Sequence, residues 1–158
     1  MFNIGDKIVY PIHGAGIIES IEEKEILGSK AKYYIMKMPV GDMSVMIPLD
    51  HIEALGIRTI IDKEASGRVL DILSQSPTEM NKVWSKRYRE NETKIKTGDI
   101  FEIAEIVKNL TILNRAKKLS AGEKKILLNA KGILLSELML VLEVDSQEAE
   151  SILEGTVK

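Results

Sequence analysis

The residues of this chain best suited to chemistry are cationic and aromatic. The segment Trp84-Ser-Lys-Arg-Tyr-Arg89 sets the only tryptophan beside Lys86, Arg87 and Arg89. On a helix, Trp84, Arg87 and Tyr88 share one stripe, with Lys86 and Arg89 flanking it. Such a stripe suits nucleic acid. Cations neutralise phosphates and release counterions, and an exposed ring can wedge between base steps in the minor groove. The same residues also fit a core tryptophan on a helix whose basic face is solvated. A second basic run, Arg115 to Lys125, crosses a helix junction, where Ser120 and the first N–H groups of the following helix could face a phosphate. Lys124 and Lys125 stand in that first turn against the helix dipole, and Glu123 partly compensates. Residues 81–98 and 115–125 each carry a net charge of +4, inside a chain whose formal net charge is −2.

Catalytic chemistry has little to stand on. His13 precedes Gly14 in a predicted turn and His51 follows Pro48-Leu-Asp50, and neither has the paired spacing of a metal site. Gly14-Ala15-Gly16 is too short for a phosphate loop and opens a strand. With no cysteine there is no disulfide framework, thiolate metal site or cysteine nucleophile, as suits a reducing cytoplasm. No signal peptide or membrane span is visible. No cofactor, metal, membrane or small-molecule substrate is expected. A composition of 44% hydrophobic and 29% charged residues is that of an ordinary folded chain.

The elements that must position these residues fall into two groups. Asp6 to Pro48 reads as four or five short strands, separated by turns at Pro11–Gly16, Leu27-Gly28-Ser29 and Val40-Gly41-Asp42. After Ile57 the apolar period becomes helical. Ile60 to Leu73 predicts a first helix. Ser76-Pro-Thr-Glu79 reads as a capping box opening a second, from Pro77 to about Thr97, ended by Gly98. Asp99 caps a third. Ser120-Ala-Gly-Glu123 opens a long amphipathic fourth, and Asp145-Ser-Gln-Glu148 a short fifth. The expected class is α+β with two domains: a small β-barrel or sheet over 1–56 and a compact bundle of about five helices over 57–158.

Four motifs in this order resemble the CarD/CdnL family of bacterial RNA polymerase-binding regulators. They are Gly5-Asp-Lys-Ile-Val-Tyr-Pro-Ile-His-Gly-Ala-Gly16, Val40-Gly-Asp-Met-Ser-Val-Met-Ile-Pro48, Asn81-Lys-Val-Trp-Ser-Lys-Arg-Tyr88 and Leu119-Ser-Ala-Gly-Glu-Lys124. The first part is also similar to the polymerase-interacting module of transcription-repair coupling factors. The resemblance implies a Tudor-like β domain that binds the polymerase β subunit, and a helical domain lying on promoter DNA at the upstream edge of the melted bubble. It further implies that Trp84 wedges into the minor groove, with Lys86, Arg87, Arg89, Lys124 and Lys125 near that surface, and that Lys24, Val45, Met46 and Ile47 mark the polymerase side. Family members can carry arginines where this chain has Lys24 and Met46. Lysine keeps the charge without the bidentate fork, and methionine keeps neither. The competing expectation is a protein-only adaptor that binds polymerase or another partner without touching DNA.

Overall fold

A computed structural model describes residues 2–41 and 43–157. Asp42, part of a predicted turn, and the side chain of His51 lie outside the described residues. The chain folds as an antiparallel five-stranded sheet followed by five helices, an α+β arrangement. The strands are β1 (Lys7–Tyr10), β2 (Gly14–Ile26), β3 (Ser29–Lys37), β4 (Ser44–Pro48) and β5 (Arg58–Thr59), in the order β4-β3-β2-β1-β5. β5 pairs with β1, so the sheet runs past the expected junction at residue 56.

Alternation explains the β core. Ile8, Ile18, Tyr34, Met36 and Ile47 point to one side and are fully or almost fully buried, with Val45 and Leu49 packed against them. The Tyr34 hydroxyl donates to the Phe2 carbonyl (2.9 Å) and accepts from the Phe2 N–H (3.1 Å), which fastens the N-terminal residues over this core. A bulge lies between Ile18 and Ser20, where the pairing with β3 shifts by one. Beyond it β2 and β3 continue as an arm whose β2 residues, Ile21 to Ile26, are exposed throughout.

The helices are α1 (Lys63–Ser74), α2 (Trp84–Thr97), α3 (Ile100–Ala116), α4 (Ala121–Leu142) and α5 (Ser146–Thr156). Asp62, Asp99, Ser120 and Asp145 each accept a backbone N–H in the first turn of the helix they precede. Gly98, at φ 73°, ends α2 in the left-handed region.

The start of α2 differs from expectation by about two turns. Ser76-Pro77-Thr78-Glu79 forms no capping box. The Thr78 N–H donates to Asn109 Oδ1 on α3 (3.0 Å), and the Thr78 hydroxyl bonds Glu105 (3.1 Å) and the Asn109 amide (2.8 Å). These contacts lay the segment across α3 instead of letting it coil. A turn in which Asn81 Oδ1 accepts from the Val83 N–H (3.0 Å) then starts the helix at Trp84.

α4 runs through the middle. Ile126, Ala130, Ile133, Leu134 and Leu138 join the helical core with residues of α1 and α3. From Ile133 onward the other side of α4 packs on the sheet, so only its first half is amphipathic in the predicted sense. Lys124, Lys125, Leu128 and Asn129 form its exposed face.

Candidate nucleic-acid interface

Trp84 is the first residue of α2 and 59% exposed, beside Val83 at 51%. It is not a core residue, so the reading of a core tryptophan does not hold. Burying an indole yields a large apolar gain, and the fold forgoes it here.

Arg87, one turn on, points inward. Its Nε and Nη2 donate to the two carboxylate oxygens of Glu123 on α4, each at 2.7 Å, and Nη1 donates to the Asn81 carbonyl (3.2 Å). The Glu123 side chain is 3% exposed. The Glu123 hydrogen bond raises the Arg87 pKa, outweighing the lowering by burial, and the carboxylate's charge adds to it. Arg87 therefore joins the turn before α2 to the head of α4, and its charge is neutralised there. Glu123 does not return to cap its own helix. Ser120 Oγ still accepts from the Glu123 N–H (3.3 Å), one half of a capping box.

A cavity of about 410 Å³ opens beside this pair, lined by Trp84, Arg87, Lys117, Lys118 and Ser120 among others. Lys86, Arg89, Lys117, Lys118 and Lys124 are exposed. Lys117 and Lys118 belong to the second basic run, yet only the fold shows that they stand at the tryptophan. Tyr88 is half-buried and sits over Gly122, where an added Cβ would come within 3.3 Å of its ring. Lys125 is exposed but lines a different groove, with Tyr88, Glu92 and Lys96.

The residues expected on the polymerase side divide by the pleat of β4. Met46 is 41% exposed, Val45 is half-buried, and Ile47 is fully buried in the β core, leaving only its backbone at the edge. β4 has a strand neighbour on one side only. Lys24 lies out on the arm, opposite Ala31, with Glu22 3.8 Å away. His13 is exposed, its ring 4.4 Å from that of Tyr10. Among the described residues no group of three His, Cys, Asp or Glu could hold a metal ion, and no helix is long and apolar enough to cross a membrane.

Two family models match the chain in succession. Residues 2–61 match the CarD-like/TRCF RID domain and residues 68–154 match the CarD C-terminal domain. The chain belongs to the CarD/CdnL family. A relative from Bacillus subtilis (strain 168), named "Putative transcription factor YdeB", is 44% identical over 151 residues, covering 96% of this chain and 99% of that protein. This CarD-family chain is accordingly a transcription regulator that binds RNA polymerase, and the family is one of regulatory factors rather than enzymes.

Proposed function

We propose that the chain bridges the β subunit of RNA polymerase and promoter DNA, and that Trp84 holds open the upstream edge of the melted bubble. The β module, taken as residues 1–56, docks on polymerase. The helical part, 57–158, lies on DNA.

The observation that carries this reading is the exposed Trp84 at a helix start, with Lys117 and Lys118 lining the same cavity and the exposed cations Lys86, Arg89 and Lys124 farther along α2 and on α4. Wedging into a base step costs a few kcal/mol of stacking, offset by protein contacts, and the wedge must be withdrawn before the step recloses. The phosphates on either side attract the cations without reading sequence. Arg87 takes a supporting part, because its guanidinium is held by Glu123. Lys125 lies at the margin.

On the polymerase side, the single-neighbour strand β4 is suited to pairing with a strand of the partner, with Met46 as an apolar contact. Lys24 adds a charge farther out on the arm.

The test is the lifetime of open complexes formed by the matching polymerase, with the wild-type chain and with Trp84→Ala. Lengthening by wild type and none by the variant is expected. Equal lengthening by both removes the wedge. No lengthening despite polymerase binding makes the chain a protein-only adaptor.

A further inference from the structure

The sheet and the helices meet along the second half of α4. Ser136 Oγ accepts from the Ala15 N–H (2.9 Å, buried), and Val9, Ala15 and Leu140 form a small core of their own with Ile60 against it. Beside it, Arg58 of β5 donates from Nη1 and Nη2 to the two oxygens of Glu137, each at 2.8 Å. Glu137 is fully buried and also accepts from the Ile61 N–H (2.9 Å). The Arg58 Nε and Nη2 donate in addition to the carbonyl of Gly98, the residue that ends α2 (3.2 and 2.9 Å).

One carboxylate thus ties the last strand, the connection into α1 and, through Arg58, the end of α2 to a single point on α4. Burial alone does not call for this. Apolar side chains of similar volume could fill the space without desolvating a charge. What a planar two-pronged pair adds is direction.

α4 carries that direction onward. About 21 Å along the axis from Glu137, Glu123 holds Arg87, one turn from Trp84. We infer that Arg58 and Glu137 are positioning residues: they set the orientation of α4 against the sheet, and so the reach from the β4 edge to Trp84. This inference rests on the bridging function for its consequence at promoters. Its structural half stands alone.

The test uses the full chain, whose lack of native cysteine permits clean labelling. Lys32→Cys on β3 and Leu128→Cys on α4, both exposed positions, receive spin labels, and the distance distribution between them is measured. The parent is compared with Arg58→Met/Glu137→Gln, which removes the fork but leaves an amide to accept from Ile61, and with Arg58→Lys, which keeps a charge without the fork.

Broadened distributions are expected, larger for the double variant. Affinities for the isolated polymerase lobe and for promoter duplex, measured separately, should stay within about twofold of the parent. The gain in open-complex lifetime should fall by about threefold or more. Should the double variant fail to fold, Arg58→Lys carries the comparison. A distribution as narrow as the parent's in a folded variant overturns the inference. A broadened distribution with the full lifetime gain overturns the link to reach. If the parent itself does not lengthen open complexes, the bridging function fails, and a broadened distribution still supports the joint.

Discussion

Glu123 and Glu137 stand about four turns apart on α4, and each closes a two-pronged ion pair with an arginine from a different element. Glu123 takes Arg87 of α2 and Glu137 takes Arg58 of β5. At four turns' separation they project to nearly the same side of the helix. Both carboxylates are shielded from water, so each depends on its partner, and the helix between them transmits the position of one pair to the other.

Removing one partner of the Arg87–Glu123 pair should cost far more than removing both. Arg87→Met leaves a buried carboxylate without its cation and should lower stability by about 2–4 kcal/mol, somewhat less than for a fully dry pair because part of the guanidinium reaches solvent. Arg87→Met/Glu123→Met should recover most of that loss. Urea unfolding of the two single variants and the double completes the cycle. Additive effects would show that the pair contributes little.

The exposed lysines near Trp84 should be visible in the salt dependence of DNA binding. Lys86→Gln and Lys124→Gln should each make the slope of log K against log salt shallower by about 0.9, one released counterion apiece. Titration of a promoter duplex at several salt concentrations measures this. Unchanged slopes in both variants would take these lysines off the contact surface.

Gly14→Ala should be among the most damaging small substitutions. The residue has φ 104°, and an added Cβ would lie 2.8 Å from Ser136 Oγ, inside the hydroxyl's bond to Ala15. Strain and crowding together should cost about 2–3 kcal/mol, read as a drop in the denaturation midpoint. Gly28→Ala, at φ 80° in open space, should cost less because only the backbone term applies. Equal losses at the two positions would mean that the close approach of α4 does not matter.

A pH dependence is expected at α5. Burial alone lowers the pKa of Lys131, but hydrogen bonds and charge from Glu150 and Glu154, both at 3.2 Å, leave it raised above the ordinary 10.5. A lysine raised on folding stabilises fully below 10.5 and loses that contribution as pH climbs through the raised value. Wild type should therefore lose its advantage over Lys131→Met, about 1 kcal/mol or less, between neutral pH and pH above 10.5. An advantage that persisted at high pH would assign the effect to the aliphatic stem.

The fold was largely written in local signals. Asp99, Ser120 and Asp145 each announce a helix because a cap acts on N–H groups two or three residues away. The start of α2 was not legible, because Asn109, 31 positions on, ties down the Thr78 N–H and hydroxyl and holds the segment against α3. The candidate surface divides in the same way. Trp84 and its exposed neighbours could be picked out by type and spacing, but the engagement of Arg87 depends on a carboxylate 36 positions away on another helix. Ile47 was readable in principle. In a strand, Val45 and Ile47 share a face and Met46 takes the other, so strict alternation already separates the inward pair from the outward residue.

The cluster of Val9, Ala15 and Leu140 draws one small interior from both parts of the chain. Lifting the helices away would wet the strand side chains of that cluster, and opening the strands would wet Leu140 in return. Melting therefore couples the two parts: heat or denaturant should meet one cooperative unit, with a single transition seen alike by probes on the strands and on the helices. Strands and helices thereby resist being pulled apart at the middle of the chain.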